Sequence, residues 1–175
     1  MRSEIEAARE DRFRELLNRQ SRFVFRIAYA VLRNTPDAED AVQETFLKLY
    51  RTGAWEDMRD ERAFLARAAW RVAVSKLRKV RHEAPDLDMD MPSMEASPEQ
   101  AAIEADFNAR LHRYVDALPE ELRQPLALST VEEMTSREIA QVMGIAEGTV
   151  RTRLMRAREL LKKKLAALPV RRYEK

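Results

Sequence analysis

At 175 residues, with no cysteine, three glycines and a charged fraction of 35%, the chain has no disulfide framework and no thiol chemistry. It also has too few turn residues for a sheet-and-turn architecture. No apolar run approaches the length of a membrane span and no signal peptide opens it, so a soluble cytoplasmic protein without membrane insertion is expected. The net charge of +2 conceals segregation: residues 1–82 carry 18 basic and 13 acidic side chains, residues 83–134 carry 3 and 13, and residues 135–175 carry 11 and 4. Two basic ends around an acidic middle fit two modules that bind a polyanion, joined by a segment that avoids it. Alanine, leucine, glutamate and arginine favour helix throughout, and the expected fold class is all-α, in two helical domains.

Residues 3–33 read as helix, with Asn18 to Ser21 a candidate break. Phe13, Leu16, Leu17, Phe23, Ile27, Ala30 and Val31 recur at spacings of three and four. Thr35 is the expected N-cap of the next helix, with Pro36 at its first position. That helix, Asp37 to Arg51, buries Ala38, Ala41, Val42, Thr45, Phe46 and Leu49. Asp40, Gln43, Glu44 and Leu47 form an adjoining face, acidic and amide-rich around an apolar centre. Acid near a helix start is also ordinary dipole chemistry, and both explanations stay open for Asp37, Glu39 and Asp40.

Residues 51–61 form a loop broken open by Gly53. Trp55 there is either a plug over a small core or a surface on which a nucleic-acid base stacks. Residues 62–81 make a long helix with Phe64, Leu65, Ala68, Ala69 and Val72 on its core side. Arg67, Arg71 and Arg78 fall within about 40° of one another at the helical period, and Lys76, Lys79 and Arg81 add charge. With Trp55 and Trp70 near, this stripe suits a helix lying on nucleic acid. A solvated face with snorkelling stems is the alternative.

Between Glu83 and Asn108 there is no lysine or arginine. Pro85, Pro92 and Pro98 interrupt the stretch, and residues 83–97 are expected to be an acidic linker. Helix should resume at Pro98 with Ser97 as cap and run through Ile103, Phe107, Leu111, Tyr114, Val115 and Leu118. Pro119 opens the helix after it. Thr135 to Glu138 has the form of a capping box, Gly144 a helix stop, and a longer helix starts near Glu147. Val150, Leu154, Ala157 and Leu161 form one narrow stripe on it. Thr149, Thr152, Met155, Arg156 and Glu159 lie opposite, flanked by Arg151 and Arg153. Cap, turn glycine, small Ala140 and stripe together predict a helix-turn-helix over 135–158. A basic tail, 169–175, should end the chain. No catalytic, cofactor or metal constellation is recognisable: His82 and His112 lie far apart, and no glycine-rich phosphate loop occurs.

Two of these stretches resemble the sigma-70 family of RNA polymerase sigma factors, in its extracytoplasmic-function group. Asp37 to Leu47 (DAEDAVQETFL) resembles region 2. The stretch from Leu118-Pro119-Glu120-Glu121, ending in Gly148 to Arg158 (GTVRTRLMRAR), resembles region 4. The resemblance implies region 2 over 1–82 and region 4 over 98–168. It implies a non-enzymatic factor that binds core RNA polymerase (the β′ clamp helices and the β subunit) and promoter DNA, and that an anti-sigma protein holds inactive. Asp40, Gln43, Glu44 and Leu47 would meet the clamp helices. Trp55, Asp57, Arg67, Arg71, Arg78 and Lys79 would bind the −10 element, the Trp55–Asp60 loop capturing a flipped base. Thr149, Arg151, Thr152, Arg153 and Arg156 would grip the −35 element. The chain carries Arg71 and Ser75 where relatives often have Asn and Asp. Two rivals remain: a stand-alone helix-turn-helix regulator binding duplex DNA as a dimer, and a DNA enzyme, which would draw its nucleophile from Ser3, Ser21 or Ser75.

Overall fold

A computed structural model of the chain describes residues 2–83 and 111–166; the expected linker, the helix start at Ser97–Pro98 with Ile103 and Phe107, and the basic tail lie outside them. All the regular structure in the described residues is helical: α1 (Arg2–Leu32), α2 (Thr35–Thr52), α3 (Glu61–Glu83), α4 (described over 111–116), α5 (Glu120–Val131), α6 (Ser136–Met143) and α7 (Glu147–Ala166). The chain divides into two compact units. One is built on α1–α3; α4, α5, α7 and most of α6 belong to the other.

In the first unit α1 packs against both α2 and α3, which also pack on each other. Phe23, Val24, Ile27, Ala28, Val31, Ala38, Ala41, Phe46, Leu65, Ala66, Ala69 and Ala73 fill the centre, with Ile27 and Leu65 fully buried. Small alanines on all three helices let the backbones approach closely enough for the large residues to interdigitate. α1 runs unbroken through Asn18–Ser21. Three of the four polar residues there are taken up by hydrogen bonds, two of them to a distant helix. Ser21 donates its hydroxyl to the Leu17 carbonyl. Arg19 and Gln20 donate to the Glu61 carboxylate at 2.7 and 2.6 Å.

α2 begins earlier than expected because Asn34, not Thr35, caps it. The Asn34 side chain accepts from the Asp37 N–H at 2.8 Å, and Pro36 stays within the first turn, where a missing N–H costs nothing. At its other end Gly53 takes φ +68, the left-handed cap that glycine enters without a Cβ penalty. Asp60 starts α3 by accepting from the Ala63 N–H at 3.0 Å. α3 turns further than expected: Trp70 and Ala66 are buried with Leu65, Ala69 and Val72, while Phe64 and Ala68 are half-buried.

In the second unit α5 packs on α7. Leu118, Leu122, Leu126 and Leu128, with Ile139, Val150, Leu154 and Ala157, are buried apolar side chains of this unit. The capping box forms as its residues dictate. The Thr135 N–H donates to Glu138 Oε2 at 2.7 Å, and the Glu138 N–H donates to Thr135 Oγ1 at 3.3 Å. Gly144 takes φ +69, and the Ile145 N–H closes the turn on the Ala140 carbonyl at 3.1 Å. No helix among the described residues is long and apolar enough to cross a membrane.

Candidate nucleic-acid and partner interfaces

The α2 face emerges as the spacing requires, since residues at i, i+3, i+4 and i+7 share one side of a helix. Asp40 and Gln43 are exposed, and Leu47 keeps 48% of its surface. That is a large apolar area to leave in water beside an acid and an amide. Glu44 belongs to the same face but is already engaged: it pairs with Lys48 at 2.6 Å and with Lys76 of α3 at 3.5 Å. The hydrogen bond from Lys48, with the charges of Lys48 and Lys76, holds its carboxyl below the usual carboxylate range against partial desolvation. Glu44 therefore also ties α2 to α3, a role that α2 alone does not disclose.

The Trp55 ring lies inside the first unit at 7% exposure, which fits the plug, of the two readings its loop position allowed, and not the base-stacking surface. Its centroid is 5.0 Å from Phe13, which also contacts Tyr50 at 4.9 Å and Phe46 at 6.2 Å. The guanidinium groups of Arg9 and Arg12 sit 5.7 and 5.9 Å from the Trp55 ring. The ring plugs the end of the core where α1 passes the α2–α3 loop, because burying an indole against Phe13 and beneath two guanidinium groups outweighs leaving it in water. Trp70 is likewise buried, at 7% exposure, so neither tryptophan is a free stacking platform. The loop's polar residues point outward, and Asp57 is exposed.

Arg9, which carried no signal in the sequence, organises this loop. It donates to Glu56 Oε1 at 2.7 Å and to the Tyr50 carbonyl at 3.3 Å, and lies 4.8 Å over the Tyr50 ring. With Arg19 and Gln20 on Glu61, α1 holds both sides of the loop. Along α3, Arg71, Arg78 and Lys79 are exposed and Arg67 is half-buried. The expected basic stripe exists, with Lys76 diverted to Glu44.

On α7, Val150, Leu154 and Ala157 face the core, and Thr149, Arg151, Thr152, Met155 and Arg156 are exposed on other sides. Arg153 is half-buried. Arg151 forms an ion pair with Glu147 one turn earlier, and Thr152 Oγ1 donates to the Gly148 carbonyl at 2.9 Å. Thr149, Thr152, Arg153 and Arg156 line a shallow groove with Gly148 and with Glu121 and Leu122 of α5. The start of α5 thus borders the candidate reading surface, which the isolated helix-turn-helix pattern had not included.

A three-helix unit with an acid-amide-leucine face, in one chain with a helix-turn-helix whose second helix exposes arginines, defines a helical DNA-binding protein with a separate surface for a partner. Comparison with known proteins gives that class its family. Residues 16–83 match the family model for sigma-70 region 2, and residues 108–161 match the model for sigma-70 region 4. The chain is 34% identical over 151 residues to the RNA polymerase sigma-H factor of Pseudomonas aeruginosa, covering 78% of this chain and 77% of that protein. It is 32% identical over 156 residues to the ECF RNA polymerase sigma factor SigE of Mycolicibacterium smegmatis, covering 87% of this chain and 61% of that protein. Its fold is similar to that of the sigma factor RpoE from Bartonella quintana, solved with the anti-sigma factor NepR. The TM-score is 0.67 at 22% identity, covering 90% of this chain and 98% of that one. The chain belongs to the sigma-70 family, in the extracytoplasmic-function group of sigma factors. It is a promoter-specificity factor for transcription initiation, and the stand-alone dimeric regulator is not favoured.

Proposed function

We propose that region 2 docks on core RNA polymerase through the α2 face and engages the opened −10 element through α3 and the α2–α3 loop, while α7 reads the −35 element. The observation that supports this most directly is Leu47, almost half exposed between exposed Asp40 and Gln43. An apolar centre with a polar rim is the anatomy of a protein interface, not of a DNA contact. A pull-down with core polymerase tests it. Asp40→Ala combined with Gln43→Ala should weaken core binding by about 2 kcal/mol or more, the scale of an interface hot spot. Unchanged affinity would count against docking through this face.

On the DNA side, Arg67, Arg71, Arg78 and Lys79 supply cations for the backbone of the separated strand. The loop around Asp57 captures an extruded base. Trp55 serves it from beneath, as the anchor that sets the loop's height. Capture is available only once the duplex opens, so it shifts the closed-to-open equilibrium without any chemistry by the factor itself. Arg151 and Arg156 reach guanine edges in the major groove, flanked by Thr149, Thr152 and Arg153. Arg151→Ala and Arg156→Ala should each cost about 1–3 kcal/mol of −35 discrimination, measured as transcription from matched and mismatched promoters. Core binding should stay intact; its loss would refute the assignment.

The domain limits in this scheme are region 2 over 1–82, an acidic linker over 83–97 and region 4 over 98–168. The factor works in the cytoplasm beside the polymerase. An anti-sigma protein covering the α2 face or α7 would silence it; the likeness to a sigma factor solved with its anti-sigma partner supports that expectation.

A further inference from the structure

α7 carries one side chain on its outward face that none of these roles uses. Met155 keeps 53% of its surface in water, beside exposed Arg151, Thr152 and Arg156. The core side of α7 is centred on fully buried Val150, with Leu154 and Ala157 following it. At about 100° per residue, Met155 stands about 140° from Val150, between Arg151 at about 100° and Thr152 at about 200°. It lies one turn further along the helix than both, so the three share one patch. Both polar neighbours already have a partner within α7. Arg151 pairs with Glu147, and Thr152 donates its hydroxyl to the Gly148 carbonyl. A thioether has no proton to donate and accepts only weakly. Met155 therefore adds nothing to the grip on a phosphate or on a polar base edge. What it can do is remove apolar surface from water, and an unbranched, polarisable side chain does so against an irregular target.

We propose that Met155 is a specificity-determining residue for the −35 element and that it reads the methyl group of a thymine. Among the base edges of the major groove, the C5-methyl of thymine is the one apolar group. An exposed apolar side chain set among the arginine and threonine of the reading patch has that methyl as its matching contact. Cytosine lacks it, and adenine and guanine present polar edges, which a thioether would cover without giving a hydrogen bond in return. Selection at this base pair is then made by apolar fit, whereas Arg151 and Arg156 select by hydrogen bonds. A protein partner is the other use of an exposed methionine, but the side chain stands between groups suited to a polyanion, and that placement favours DNA. The inference rests on the reading of α7 as the −35 helix.

The test uses the full chain assembled with core RNA polymerase, and duplexes that this holoenzyme selects from a promoter library randomised over the −35 window. Each thymine of the selected element, on either strand, is replaced in turn by deoxyuridine, which removes the methyl and leaves every hydrogen-bonding atom in place. One replacement should weaken binding about fourfold, the scale of one buried methyl group. With Met155→Ala the affinity for the thymine duplex should fall, and the same replacement should make no further difference. Met155→Leu should keep the sensitivity, and Met155→Gln, similar in length but polar, should lose it. All three variants should keep the wild-type thermal midpoint, since the side chain is exposed. Arg156→Ala separates the proposal from the reading beneath it, because it should lower −35 affinity yet preserve the deoxyuridine effect. If Arg151→Ala and Arg156→Ala both leave −35 selection untouched, α7 is not the reader and both claims fall. If they act as expected but no thymine responds to loss of its methyl, or Met155→Ala leaves the response in place, the proposal alone is overturned. Weakened core binding by Met155→Ala with the deoxyuridine effect preserved would assign the side chain to a protein contact and overturn it too.

Discussion

Trp55→Ala should destabilise the first unit by about 3–5 kcal/mol, the range for removing a large buried aromatic, and lower its thermal midpoint on the order of 10 °C or more. The ring is 7% exposed and braced by Phe13, with Arg9 and Arg12 over it. Its removal therefore opens a cavity beneath the loop and withdraws a surface from two guanidinium groups. Trp55→Phe is the discriminating companion. The indole Nε1 is buried without a hydrogen-bond partner, so phenylalanine gives up no hydrogen bond and leaves a smaller cavity than alanine, and it should cost clearly less than Trp55→Ala. Promoter opening, followed by permanganate footprinting, should fail with Trp55→Ala in proportion to lost stability and survive largely in Trp55→Phe. A Trp55→Ala chain of normal stability that cannot open promoters would return the indole to the surface role that its loop position first suggested.

Ile139→Ala should cost about 2–5 kcal/mol and abolish −35 recognition while the α2 face still binds core polymerase. Ile139 is fully buried in α6, in the unit whose core includes Val150 and Leu154. Eight residues are too few for a helix to persist without tertiary packing. The capping box contributes about 1 kcal/mol and cannot offset the loss of the packed face. With α6 loosened, the Ala140–Gly144–Ile145 turn no longer sets the angle at which α7 leaves, and Arg151 and Arg156 lose their common orientation. DNase footprinting over the −35 element, paired with a core-binding assay, reads the two effects apart. A normal −35 footprint would show that α7 recognises DNA without α6 to orient it.

What the amino-acid order determined was local. A hydroxyl three residues before a carboxylate closes a capping box wherever it occurs, so Thr135 and Glu138 could be placed without coordinates. Gly53 and Gly144 stop helices because the backbone there must enter a region closed to other side chains at low cost. The α7 stripe and the α2 face follow from the helical period alone, and the family resemblance rests on those same short runs. At the start of α2, two neighbouring residues, Asn34 and Thr35, could each accept from a first-turn N–H, and the register of the turn after Leu32 chose Asn34.

Tertiary structure decided whatever depended on residues thirty or more positions apart. Trp55 has charged neighbours in sequence and aromatic neighbours in space; only the passage of α1, bringing Phe13, Arg9 and Arg12 over the loop, made it core. Arg19 and Gln20 come together with Glu61 only because α1 packs on α3. Glu44 became a bridge only when Lys76 arrived beside it. Helical periodicity states which residues share a side. Which side is covered is decided by the helix that packs there, and that choice is made by the summed burial of all three helices at once.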